Sequence, residues 1–456
     1  MRRASCPVPI RQKTFNGRWT LPRRPLPRYA SLDQAQPLTG VNMDATSAPC
    51  PTSSSSAIGV DELIDSLVAS HRTFVDDLPY VASPACLAAT RALVEDEVSA
   101  LEARLTGEED RRCLLRLKDW LAQEMLRLEP WFEERGEPRP SWVAGRQAMP
   151  LCDRQRLVMA NALDLEATDP LAKRCLDPGF DLVSLLVGLY VRDETRLAHY
   201  AFDRYLRLSG DYALTRLISV FAVCRSLAGA RRALQHWEPE REPAFRVAEI
   251  MTECRRYLDL AERVSNFRFP PLIIGVGVSG SGKSRFMAEI VERLGAVRLC
   301  SDAERRRLFG LSPQAAVQDP AVDIFSAETT ERTYHRLASL AGLLLNAGIP
   351  TCIDATCLTY AQRQLLRQQG EARGLPVLIV SFEADEETLR ARIAKRAKRQ
   401  GSDPAMSLDV LERQQALFEE FRDEERPHLL RIDTTAEHVG DTLALLVEKR
   451  VSLSYS

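Results

Sequence analysis

What this chain has little of narrows it first. Its 61 basic and 63 acidic residues leave a net charge of −2, so no overall field draws it to nucleic acid or to an anionic membrane. No stretch approaches the roughly 18 consecutive apolar residues that a membrane-spanning helix needs. The eleven cysteines, scattered from Cys6 to Cys357, include no C-x-x-C pair. That excludes a disulfide framework and points to reduced, mostly buried thiols in a cytoplasmic protein. The six histidines show neither H-x-x-x-H nor H-E-x-x-H spacing, which leaves a zinc site nothing to build on. Sustained heptads and internal repeats are missing too.

Acids are missing from the first 32 residues, which hold eight Arg or Lys interleaved with prolines ("RWTLPRRPLPRY"). "TSAPCPTSSSSA" follows. Neither part has helical or strand periodicity, so residues 1–59 are expected to be a disordered tail. An Arg-rich, acid-poor start also fits an organelle transit peptide. A solvated tail, or translation starting at Met43, are the plainer readings.

Residues 60–266 read as an all-helical domain. "VDELIDSLVASHRTFVDDL" sets Leu63, Ile64, Leu67, Val68 and Phe74 on one face, and "CLLRLKDWLAQEMLRLEPWF" does the same with Leu114, Leu117, Leu121, Met125 and Leu128. A last helix spans roughly 244–264. The texture changes at Phe269. Short apolar runs, "PPLIIGVGV", "AVRLC", "IPTCID", "PVLIVSFEA" and "HLLRID", alternate with helical segments, which predicts an α/β domain over 267–453 with a five-stranded parallel sheet.

"GVSGSGKS" in that domain satisfies G-x-x-x-x-G-K-[ST] in full, between an apolar run and a helical pattern. Glycines let successive N–H groups of Gly277, Val278, Ser279, Gly280, Ser281 and Gly282 turn inward around a phosphate, at the positive end of the next helix. Lys283 then reaches the β- and γ-phosphates of ATP, and the Ser284 hydroxyl takes a position on Mg²⁺. The next apolar run ends at Asp302, an acid placed to take a proton from an attacking hydroxyl, or simply a helix cap. Arg305 and Arg306 follow as candidate substrate contacts. Asp354 ends the third run and is the candidate metal ligand, again with a cap as the plainer role. Arg392, Arg396 and Arg399 share one side of a helical stretch. They are either a solvated basic face or a lid over the transferring phosphoryl group, with Arg396 the first catalytic candidate and Arg392 a nucleotide contact.

"RLCSDAERRRLFG", "TYHRL", "AGIPTCIDATCL" and "LERQ" together resemble a bacterial predicted-kinase group of small P-loop proteins related to gluconate kinases, zeta-type toxins and polynucleotide kinases. The resemblance covers nearly all of 270–435 and implies an ATP-dependent phosphotransferase fold. In bacteria such a domain often follows an aminoglycoside-phosphotransferase-like segment. Residues 177–212 resemble the helical C-lobe of that partner, over about 60–235. No H-G-D-x-x-x-x-N loop exists, and its place reads "SWVAGRQAMPLCDRQRLVMAN". The helical half is therefore expected to be a degenerate, catalytically dead lobe, and residues 267–456 to bind Mg-ATP alone. The functional expectation is ATP-dependent phosphorylation of a small hydroxylated molecule, with a regulatory nucleotide-binding module as the alternative. Polynucleotide ends are disfavoured by the near-neutral charge.

Overall fold

The computed structural model describes residues 59–77, 83–136, 177, 179–235, 243–266, 269–313, 324–400 and 404–436, with isolated positions between 443 and 449. The tail expected at 1–59 and the segment 141–161 lie outside these, Gly59 excepted. Among the described residues no helix is long and apolar enough to cross a membrane.

The front half contains α1 (Val60–Asp77), α2 (Ser83–Glu102), α3 (Glu108–Arg127), α4 (Glu129–Gly136), α5 (Gly179–Val191), α6 (Thr195–Ser209), a 3-10 helix (Tyr212–Arg216), α7 (Ile218–Ala233) and α8 (Ala244–Ser265). Of the residues that the periodicity put inward, Leu63, Ile64, Leu67 and Val68 on α1, Leu114, Leu117, Leu121 and Met125 on α3, and Leu128 just after it are buried; the Phe74 side chain lies outside the described residues. Charges stitch the bundle where the chain turns. Arg135, buried at the end of α4, donates to both carboxylate oxygens of Asp177 (2.7 and 3.1 Å) and of Asp211 (2.9 and 3.0 Å). Asp177 also accepts from the Gly179 amide at 2.7 Å, so one ion pair fixes where α5 begins.

The five apolar runs are five strands: β1 (Leu272–Val276), β2 (Val297–Cys300), β3 (Thr351–Asp354), β4 (Val377–Glu383) and β5 (Leu429–Asp433). All pairings are parallel, in the order β2-β3-β1-β4-β5. Between them run α9 (Lys283–Leu294), α10 (Ser301–Leu308), α11 (Ala327–Asn346), α12 (Tyr360–Glu371), α13 (Glu386–Gln400) and α14 (Pro404–Ala416). Alternate residues of β1 serve opposite faces. Leu272, Ile274 and Val276 join one hydrophobic cluster, while Ile273 joins a second with Phe286, Met287, Ile290 and Val291 of α9.

The first of those clusters does not stop at the boundary expected near residue 266. It runs from Ile64 and Leu93 through Leu206, Phe221 and Leu227 to Ile274, Leu299 and Ile353. Polar contacts reinforce the junction. Glu304 on α10 is fully buried; it accepts from Tyr212 Oη of the 3-10 helix at 3.0 Å, from Arg336 of α11 at 2.7 Å, and from Arg307. His199 of α6 donates from Nδ1 to the Glu292 carbonyl of α9 at 2.7 Å. A hydrogen bond to a buried charge contributes about 1.5–3 kcal/mol. Tyr212→Phe, which removes only the hydroxyl, should destabilise the chain by about that amount in urea-induced unfolding. A change within error would show that Arg307 and Arg336 alone satisfy Glu304.

Candidate active site

Parallel strands carry their carboxyl ends to one edge, and the chemistry gathers there. β1 ends into the loop 277–284, and α9 starts at Lys283. Gly280 and Gly282 hold φ of 84° and 86°, a region that a side chain strains, and a Cβ on Gly280 would sit 3.1 Å from the Leu389 carbonyl. The loop therefore requires glycine at both positions. Ser281 Oγ is buried against Gly277 without a hydrogen-bond partner, an orphan polar atom inside the cradle that an anion would satisfy.

The loop is tied to the end of β3. Gly277 donates its amide to the Thr356 carbonyl at 3.1 Å. Ser284 Oγ donates to Asp354 Oδ1 at 3.1 Å, and Lys283 Nζ lies 3.6 Å from the same oxygen. Asp354 is 5% exposed and ends its strand. It is no helix cap: that role for α12 belongs to Thr359, which forms a capping box with Gln362. A hydroxyl and a carboxylate oxygen converging beside a lysine form a hard donor set, which suits Mg²⁺ on a nucleotide phosphate.

The turn behind Asp354 is held in place. Cys357 takes φ of 49°, unusual for a residue with a side chain. Its amide donates to Tyr334 Oη at 2.9 Å, and buried Arg363 donates to the Cys357 and Leu358 carbonyls while pairing with Glu425 at 2.6 Å. Burial alone would push the Glu425 carboxyl up, but hydrogen bonds from Arg363 and from the Arg422 amide hold it below the usual carboxylate range.

Asp302 lies in the first turn of α10, just past the tip of β2, with its side chain exposed. The N-cap position belongs to Cys300, which makes no side-chain cap bond. Capping is thus not the role of Asp302. Burial pushes up the neighbouring Cys300 thiol, and the charges of Asp354 and Asp302 add to it.

The arginines divide. Arg305 turns inward, is 8% exposed, and donates to the Ile324 carbonyl (2.9 Å) and Thr330 Oγ1 (3.0 Å). Burial lowers its guanidinium below the usual range, with Asp302 opposing. Arg306 donates to the Asp302 carbonyl at 3.2 Å. Arg392 is half-buried and donates to the Gly280 carbonyl (3.3 Å), Thr434 Oγ1 (2.9 Å) and the Thr434 carbonyl (3.0 Å), which clips α13 to the loop. Arg396, one turn on, is exposed.

Two contributors had no assigned role from sequence. Gln414 of α14 accepts from the Ser279 amide at 2.7 Å, directly on the loop; it is the last residue of "LERQ", but nothing in its type announced a contact. Arg298, inside β2, donates to the Ser284 carbonyl at 3.2 Å and lies 3.9 Å from Asp354 Oδ2.

One family model matches. It is described as an AAA domain and covers residues 272–421, from β1 to just past α14. No curated protein matches. Among solved structures, a sugar kinase from Janibacter is 19% identical, with 40% of this chain and 95% of that one aligned at a TM-score of 0.30. The APS kinase of Mycobacterium tuberculosis, solved with AMPPNP and APS, is 18% identical over 41% of this chain and 99% of its own, with a TM-score of 0.29.

Proposed function

We propose that this chain is an ATP-dependent phosphotransferase acting on a small hydroxylated acceptor in the cytoplasm. The observation that carries the reading is the convergence of Ser284, Lys283 and Asp354 at the mouth of the glycine loop, with an exposed carboxylate, Asp302, on the adjacent strand end. The loop amides and Lys283 bind the phosphates of ATP. Ser284 and Asp354 would hold Mg²⁺, which neutralises charge on the phosphates. Asp302 takes the proton from the acceptor hydroxyl while its oxygen bonds to the γ-phosphorus and the bond to the β–γ bridging oxygen breaks, leaving ADP. Arg396, on the exposed side of the helix clipped by Arg392, supplies positive charge as the lid closes. Among the described residues Cys113, Cys224, Cys254, Cys300, Cys352 and Cys357 are free thiols, which supports a reducing compartment. The near-neutral charge favours a small acceptor over nucleic acid or a membrane.

The test is a panel of sugars, nucleosides and amino alcohols with γ-labelled ATP. Label is expected on at least one hydroxylated member, at a rate well above hydrolysis. Tight Mg-ATP binding with no transfer to any member would favour the regulatory module instead.

A further inference from the structure

An edge strand leaves alternate backbone amides facing outward, where they need a partner. On β2 the outward amide of Arg298 donates to Asp203 Oδ1 of α6 at 2.8 Å, so a residue from the helical half covers the edge of the sheet. The contact continues through the side chain. Arg298 Nη2 lies 3.8 Å from Asp203 Oδ2, and its Nη1 lies 3.9 Å from Asp354 Oδ2. Both carboxylates are nearly buried, at 3% and 4% side-chain exposure, and the arginine is at 14%. Solvent therefore screens these pairs little. Burial pushes the Asp203 carboxyl up, and the charges of Arg298 and Arg207 oppose it. With Oδ2 of Asp354 facing Arg298, Oδ1 is the oxygen left toward Ser284 and Lys283.

We propose that the helical half completes the nucleotide site: Asp203 holds Arg298, and Arg298 orients Asp354 for the cation that accompanies ATP. Arg298 and Asp203 are positioning residues. The inference rests on the Mg-nucleotide part of the function proposed above and gives the front half a task that needs no active site of its own. Groups that orient a metal's ligands commonly matter by 10–100-fold in metal affinity.

The discriminating measurement is ATP affinity of the full chain by displacement of a fluorescent ATP analogue, in EDTA and across a Mg²⁺ titration. Asp203→Asn keeps an oxygen for the Arg298 amide and removes only the charge; Arg298→Met removes both ion pairs and the hydrogen bond to the Ser284 carbonyl. In both variants the Mg²⁺ concentration at half-effect is expected to rise about tenfold or more, and in Asp203→Asn, which leaves the Arg298–Ser284 bond in place, affinity in EDTA stays within twofold of wild type. A packing defect alone would lower both affinities together. Equal Mg²⁺ dependence in wild type and both variants overturns this proposal by itself. No Mg²⁺-dependent binding in the wild type overturns the functional reading as well. Amide exchange on the unaltered chain gives an answer even if a variant fails to fold. Adding Mg-ATP should slow exchange in α6, and an α6 indifferent to Mg-ATP while the loop 277–284 is protected overturns the coupling.

Discussion

Lys283→Ala is expected to cut phosphoryl transfer from ATP by at least about 10²–10³-fold, the range seen when one preorganised donor is lost from a developing charge. The ammonium group sits 3.6 Å from Asp354 Oδ1 at the start of α9. A phosphate seated on the loop amides would meet it there, where few waters compete. The fold should survive, because Asp354 retains Ser284 at 3.1 Å and Arg298 at 3.9 Å as partners. Alanine is also a better helix former than lysine at that position. Circular dichroism and thermal unfolding should therefore match the wild type, while γ-labelled ATP reports the loss. A well-folded variant with unchanged ATP affinity and turnover would remove the loop from the chemistry.

Contiguous features were legible in the sequence and distant pairings were not. The strands show because each is a short apolar run closed by polar or glycine-rich residues, and the loop shows because a phosphate cradle needs its residues in consecutive order. Asp302 and Asp354 followed from them, since carboxyl ends of parallel strands point one way. Asp203 and Arg298 are 95 positions apart, Tyr212 and Glu304 are 92 apart, and Arg363 and Glu425 are 62 apart. Nothing local marks such partners; each is one charged or polar residue among many.

Periodicity also says little about which way a basic residue on a short helix turns. Arg305 reads like its neighbour Arg306 in "ERRR", yet packing of α10 on α11 carries it inward to Thr330. α8 ends at Ser265 and β1 begins at Leu272, yet a change of texture does not mark the end of a core, since one hydrophobic cluster holds residues from both sides. Cutting there would remove α6, whose Asp203 accepts the outward amide of Arg298 on β2.

Asp302→Asn is expected to leave the fold and the affinity for ATP nearly unchanged and to lower transfer by about 10²–10⁴-fold, the usual cost of losing a general base. The structure sharpens this test. Because Cys300 rather than Asp302 occupies the N-cap position, the structural contributions at risk are the attraction of a carboxylate to the first turn of α10 and the charge that Asp302 sets against the burial of Arg305. The first is worth about 0.3–1 kcal/mol, and the second adds little because the Asp302 carboxylate is exposed and screened by solvent. Among the described residues, the Asp302 carboxylate accepts no hydrogen bond that the change would break. Stability measured in urea should thus shift by under about 1 kcal/mol while the rate collapses. Until an acceptor is known, slow hydrolysis with water in its place reads the same proton transfer. Transfer that persists at the wild-type rate would strip Asp302 of the base role and pass it to Asp354, the other carboxylate at the site. A parallel fall in ATP affinity would instead mean that Asp302 acts on the nucleotide or its cation, since a base that waits for an acceptor hydroxyl makes no contribution before the acceptor arrives.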